Sequence, residues 1–274
     1  MRGVVVAVTG GARGIGLATA TALASAGARV AIGDLDGDLA AERAAALAGS
    51  AMGLPLDVRD EGGFERFLTA VRDRWGPVGA LVNNAGVIVT GPFLTTTPAE
   101  HRLQLDVNLG GIMRGMRLVL PDMVANGRGR VVNIASAAGR IPAPGTAVYT
   151  ASKHGVVGLT EAVRGELLGT NVFVSAVLPS VVRTEMAAGL RTTGLPTVPP
   201  EKVAKVVLGL LRRRRPPATV IVPRWLAVAD LADRLSPQRL SDLVRRLTRV
   251  DENTDGAARQ GYEQRLKRQL DDGP

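Results

Sequence analysis

The stretch Val4–Gly16, VVVAVTGGARGIG, decides how the rest of the chain is read. An apolar run rich in valine stops at Thr9, and glycines then stand at positions 10, 11, 14 and 16, with helix-compatible residues after them. A strand that turns this sharply into a helix presents free N–H groups and the positive end of the helix dipole to an anion. Glycine suits the turn because a Cβ would hold a phosphate away from the backbone. A glycine-rich loop alone also serves plain turns; its place between strand and helix gives it weight.

Outward from this loop, apolar runs of strand length alternate with helical patterns. Strands are expected over residues 4–9, 29–33, 51–56, 80–83, 130–135, 172–178 and 219–222. These runs are nearly continuous in Val, Ile, Leu and Ala, the pattern of strands buried on both faces. Between them, a helix opens at the capping residue Asp60 and sets Phe64, Phe67, Leu68 and Val71 at i, i+3, i+4 and i+7. The alternation predicts an α/β fold of the Rossmann type, a doubly wound parallel sheet of about seven strands with helices on both faces. Ligands of such sheets lie beyond the carboxyl ends of the strands, where strand order reverses.

A chain of 274 residues suits one such domain with an appendage. Hydrophobic residues at 46% and charged residues at 22% exclude disorder as the main state. The absence of cysteine rules out a disulfide framework, a thiolate zinc site and a cysteine nucleophile. The only histidines, His101 and His154, are read as structural, and no metal is expected. The apolar run near the start is too short for a signal-peptide core, and no apolar stretch reaches the roughly 18 residues of a membrane span. A soluble, cytoplasmic protein is expected. Of the net charge of +9, +6 falls in residues 201–274. Only four of the 34 basic residues are lysine, and no nucleic-acid motif or stacking aromatics accompany them, so no nucleic-acid partner is expected.

The second strand run leads to Asp34, 18 residues after Gly16, where a dinucleotide fold places the group that meets the adenosine ribose. A carboxylate accepts hydrogen bonds from the 2′- and 3′-hydroxyls. Against a 2′-phosphate it costs about 4 kcal/mol per unit charge pair, at about 4 Å and an effective dielectric of about 20. That favours NAD over NADP. Arg13 pulls the other way, since a guanidinium can pair with a 2′-phosphate. Asp34 weighs more: an unneutralised carboxylate excludes phosphate, whereas a basic side chain need not exclude a hydroxyl. The plainer alternative for Asp34 is a turn aspartate before Leu35-Asp36-Gly37.

Farther on, Tyr149 and Lys153 stand one turn apart on one helix face, and Ser136 lies thirteen residues before the tyrosine at a strand end. Thr9–Gly16, Asn83-Asn84-Ala85-Gly86, Val107-Asn108, Ser136 and Tyr149xxxLys153 occur in this order. Together they resemble the short-chain dehydrogenase/reductase family from residue 3 to about residue 222. The resemblance implies an enzyme exchanging a hydride between a nicotinamide dinucleotide and a secondary alcohol or ketone. It makes Asn108, Ser136, Tyr149 and Lys153 a catalytic tetrad, with Tyr149 as general acid/base and Ser136 holding the substrate oxygen. Lys153 would bind the nicotinamide ribose and lower the phenol's pKa, and Asn108 would anchor a water linking Lys153 to solvent. An ammonium about 4 Å away is worth at most roughly three pK units at an effective dielectric of about 20. For the cofactor it implies the loop residues Gly10, Arg13, Gly14, Ile15 and Gly16, with Asp34 at the ribose and Asp57 and Val58 at the adenine. Asp57 is equally well a helix cap from its own surroundings. Asn84, Ala85 and Gly86 would pass along the cofactor while Asn83 braces strands, and Val182 and Thr184 would meet the carboxamide.

The chain departs from the family's PGxVxT pattern at Ser180, which stands where glycine is usual and narrows the backbone angles allowed there. Residues 1–223 form the expected NAD(P)-binding catalytic domain, with a substrate loop over 183–200 that reads as mobile. Val89, Ile141, Pro142, Ala143, Met186 and Leu190 are the expected pocket lining, with Arg140 and Arg191 nearer the rim, which suits a hydrophobic alcohol or ketone. Residues 224–274 form a helical extension carrying Trp225, Leu226, Val228, Leu231 and Leu235, then a Ser236-Pro237 helix start with Leu240, Leu243, Val244 and Leu247. Packing on a neighbouring subunit is its preferred role, ahead of covering the pocket or lying peripherally on a membrane. The family commonly forms homodimers and homotetramers. The contrasting functional class is a dinucleotide-binding regulator or scaffold with little turnover.

Overall fold

Each strand of the central sheet is carried by a run of small and β-branched apolar residues. In the computed structural model, which describes residues 1–189, 197–235 and 256–271, β1 (Val5–Thr9) is buried along its whole length. It pairs in parallel with β2 (Arg29–Asp34) on one side and β4 (Ala80–Asn83) on the other. β3 (Ala51–Pro55), β5 (Gly129–Ile134), β6 (Val172–Pro179) and the last long strand (Thr219–Val222) extend the same parallel sheet. The seven strands lie in the order β3-β2-β1-β4-β5-β6 followed by Thr219–Val222. Chain order reverses between β1 and β4, so a crevice opens there beyond the carboxyl ends of the strands.

Helices cover both faces. α1 (Gly14–Ser25) and α2 (Gly37–Ala45) bury Ala20, Leu23, Ala40 and Ala44 on one face. α3 (Glu61–Trp75) buries Phe64, Phe67, Leu68 and Val71 on the other, the stripe its spacing predicts. α4 (Pro98–Leu105) starts with a capping box between Thr97 and Glu100, which supplies partners for two backbone N–H groups. It passes through a π turn at Asp106–Gly110 into α5 (Gly111–Ala125), and α6 (Ala147–Glu166) follows β5. After β6 come the short parallel pair β7 (Val181–Val182) and β8 (Thr197–Val198), then α7 (Pro200–Arg212). The strand Thr219–Val222 is therefore β9.

Beyond β9 lie α8 (Leu226–Leu235) and α9 (Gly256–Asp271). On α8, Leu226 is buried, whereas Val228 and Leu231 are exposed, as is Trp225 just before it. α9 packs back on its own chain, with Leu266 and Leu270 against the core. This helix thus adds to the core of its own chain. Leu190, Arg191, Ser236-Pro237, Leu240, Leu243, Val244 and Leu247 lie outside the described residues. No helix among the described residues is long and apolar enough to cross a membrane.

Candidate active site

A cleft of about 510 Å³ lies at the carboxyl ends of β1, β2, β4 and β5. Of the expected residues, Gly10, Arg13, Gly14, Ile15, Asp34, Asp57, Val58, Asn84, Ala85, Gly86, Tyr149, Lys153 and Thr184 all line it. Gly16, Asn108, Ser136 and Val182 are not on its wall. Gly16 lies under the loop, where a Cβ would come 2.1 Å from the Gly10 carbonyl oxygen. The Val182 side chain is buried among the core residues.

The glycine loop fits a dinucleotide. Gly10 has φ +59°, and a Cβ there would stand 2.8 Å from Ala85 Cα. Asn84 Nδ2 donates to the carbonyls of Thr9 and Gly10 at 3.0 and 2.8 Å, while Thr9 Oγ1 accepts from Asn84 N and Ala85 N. The loop is therefore tied to the end of β4. No side chain caps the amino end of α1, which leaves its first N–H groups open to an anion.

At the end of β2, Asp34 accepts from Ala12 N at 2.9 Å and Asp36 N at 3.2 Å. Arg13 pairs with Asp36 at 2.8 Å and approaches Glu185 at 3.9 Å. Asp57 is held by the Arg59 guanidinium through contacts of 2.8 to 3.1 Å. Arg59 also donates to the Gln269 carbonyl of α9 at 3.2 Å. The Asp57 carboxylate expected to face the adenine is thus shared with an arginine.

At the other end of the cleft, Lys153 is buried, and its ammonium donates to the Ile134 carbonyl at 3.0 Å. Its Nζ lies 5.6 Å from the centre of the Tyr149 ring, so the two side chains share one face of α6 as the spacing predicts. Burial pulls the lysine from its usual 10.5 to about 8. The Tyr149 hydroxyl is raised by burial, opposed by a hydrogen bond from Ser136. In the protein alone, burial is therefore the larger influence on this phenol. Ser136 Oγ also accepts from Ala138 N at 3.1 Å, which fixes its position at the end of β5.

Asn108 sits in the π turn, a feature frequent at functional sites. Its Oδ1 accepts from Val87 N at 2.8 Å, and its Nδ2 donates to the Val87 carbonyl and to Ser152 Oγ at 2.9 and 3.1 Å. The side chain is thus engaged in bracing the segment after β4. Asn83 donates to Asn133 at 2.9 Å and ties β4 to β5. The Ser180 N–H donates to the Val222 carbonyl at 2.7 Å, and no non-glycine residue among those described has a left-handed φ. Serine therefore fits this turn without strain.

Of the expected substrate lining, Met186 borders the cleft and Val89 is buried, its N–H donating to Gln104 at 3.0 Å. Ile141, Pro142 and Ala143 are half-buried before α6, and Arg140 is ion-paired with Glu161. His101 contacts Thr96 and stacks on Phe93, while His154 meets the Thr150 carbonyl, so neither belongs to the cleft. No group of three metal-ligating side chains exists among the described residues.

Sequence reasoning missed the part of the wall built by α9, where Tyr262, Arg265, Leu266, Arg268 and Gln269 border the cleft. Arg265 forms an ion pair with Glu185. The available clue was the spacing of Tyr262, Leu266 and Leu270 at i, i+4 and i+8.

Residues 4–194 match the family model described as short chain dehydrogenase. The ketoacyl reductase HetN of Nostoc sp. is 35% identical over 223 residues, covering 78% of this chain and 77% of that protein. The 3-oxoacyl-[acyl-carrier-protein] reductase FabG of Thermotoga maritima is 34% identical, covering 77% of this chain and 91% of its own length. The crystal structure of levodione reductase superimposes with a TM-score of 0.77 at 28% identity, covering 84% of this chain and 99% of that one.

Proposed function

The chain belongs to the short-chain dehydrogenase/reductase family and is an NAD(P)-dependent oxidoreductase acting on CH–OH groups; we propose that it uses NAD(H) on a hydrophobic secondary alcohol or ketone, with Tyr149 as general acid/base. The observation that carries this is Tyr149, Lys153 and the glycine loop on one cleft wall.

The bound nicotinamide supplies the hydride acceptor or donor. The loop Gly10–Gly16 and the amino end of α1 would hold the diphosphate, and Asp34 the adenosine ribose. The choice of NAD rests on charge. Arg13 is already engaged by Asp36 and Glu185, so the acids around the ribose outnumber the cation available to a 2′-phosphate.

Ser136 would donate to the substrate oxygen and position it beside the Tyr149 hydroxyl, a role supported by the hydrogen bond between the two side chains. A phenol raised by burial keeps its proton at neutral pH and is ready to give it up as a carbonyl becomes an alkoxide. In oxidation the same hydroxyl must first lose that proton, helped by Lys153, which at pH 7 is still mostly charged. The apolar lining favours a hydrophobic substrate. Cytoplasmic location and a homodimer or homotetramer complete the proposal. The test is a panel of secondary alcohols and ketones with NAD(H) and NADP(H), followed at the absorbance of the reduced nicotinamide. Turnover with NAD(H) is expected, and dinucleotide binding without any turnover would favour the regulator or scaffold class.

A further inference from the structure

The segment leaving β4 has no ladder partner, yet its consecutive peptide groups are buried at Val87, Ile88 and Val89. Buried backbone groups need partners, and here each N–H is taken by a side chain from a different element. The Val87 N–H donates to Asn108 of the π turn at 2.8 Å, and the Val89 N–H to Gln104 of α4 at 3.0 Å. Between them, the Ile88 N–H donates to the Tyr262 hydroxyl of α9 at 2.7 Å, and that hydroxyl donates to the Ile88 carbonyl at 3.1 Å. Tyr262 does for Ile88 what Asn108 does for Val87, although it lies 174 residues away in sequence and beyond the segment matched by the family.

Tyr262 is itself held. Arg259 is 3% exposed, its guanidinium lies 5.0 Å from the Tyr262 ring centre, and it donates to the Met186 carbonyl at 3.3 Å. Tyr262 also borders the cleft with Tyr149, Lys153 and Met186.

We propose that Tyr262 is a positioning residue of the reaction: the carboxy-terminal extension supplies it to fix the Ile88 peptide at the reactive end of the cleft, where the nicotinamide would lie. The proposal rests on the dinucleotide reading of the site. Its test compares the binding of NADH with that of ADP-ribose, which lacks the nicotinamide, to the full chain and to Tyr262→Phe by calorimetry. Phenylalanine keeps the ring in its packing and removes both hydrogen bonds. NADH is expected to bind about tenfold more weakly, the order associated with one lost buried partner, and ADP-ribose within about twofold of the wild type. Hydrogen exchange is expected to quicken at the Ile88 amide and to stay slow at Val87.

Equal loss for both ligands, or no loss for NADH, overturns the proposal. If Tyr262→Phe fails to fold, the wild type decides: an Ile88 amide as protected as that of Val87 supports the proposal, and exchange at the rate of an open loop overturns it. A wild type that binds both ligands but turns over no alcohol or ketone defeats the functional reading and leaves the difference between the ligands standing.

Discussion

Gly16→Ala adds one methyl group where the phosphate loop meets α1. The new Cβ would lie 2.1 Å from the Gly10 carbonyl oxygen, 2.9 Å from its carbon and 2.6 Å from Asn84 Nδ2. None of these can yield cheaply, because Gly10 is backbone and Asn84 is fixed by its bonds to Thr9 and Gly10. Restoring an ordinary contact needs a shift of about 1 Å between α1 and the loop, and overpacking of this kind costs about 1–3 kcal/mol. The displaced groups are the ones expected to hold the diphosphate, so NADH affinity should fall by about 5- to 150-fold. Titration of NADH fluorescence measures this directly. Gly209→Ala on α7 is the control, since a Cβ there meets nothing within 4 Å. It should leave NADH binding unchanged and raise stability by up to about 1 kcal/mol, through the poor helix propensity of glycine. Gly16→Ala binding NADH within twofold of the wild type would refute the close-approach role of this glycine.

Three further outcomes are expected. Asp34→Ser removes the carboxylate beside the adenosine ribose and should raise the ratio of kcat/KM for NADP to that for NAD at least tenfold, measured with one alcohol, given about 4 kcal/mol per charge pair before screening. Lys153 makes stability depend on pH. Its folded value of about 8 lies below the usual 10.5, so between these limits the unfolded chain holds the extra proton and stability rises with pH, by about 3 kcal/mol over the window. Below pH 8 both states are protonated and this contribution is flat; above about pH 10, Tyr149 and Tyr262, both raised by burial, reverse the trend. Urea midpoints at pH 7 and 9.5 should show the rise in the wild type and lose it in Lys153→Met. Asn108→Ala leaves the Val87 N–H and carbonyl without their partner and should lower the unfolding free energy by about 1–3 kcal/mol in urea titrations.

The sheet was legible because strands buried on both faces announce themselves as unbroken apolar runs. β1, with Val5 to Thr9 buried throughout, is the clearest case, and Phe64 to Val71 give α3 as plainly. The glycine loop and the pairing of Tyr149 with Lys153 were legible for a local reason, since strand–turn–helix order and one helical turn fix them. α9 was not, because its partners are set by the tertiary fold: Tyr262 meets Ile88 and Gln269 meets Arg59, 210 residues apart. The burial of Tyr149 was illegible for the same reason, since how far a phenol is desolvated depends on the tertiary fold around it. Ser180 looked like a defect only because glycine implies a left-handed backbone, and no non-glycine residue among those described adopts one.

The most direct measurement follows a deuterium label. A secondary alcohol of the active panel, deuterated at its carbinol carbon, is incubated with NAD and either the wild-type chain or Tyr149→Phe, and the reduced cofactor is examined by NMR. Deuterium should appear at C4 of the nicotinamide with the wild type. The variant should still bind NADH and transfer the label at least a hundredfold more slowly, in line with a general acid/base contribution of about 10²–10⁴-fold. Equal transfer by both proteins would contradict proton exchange through Tyr149.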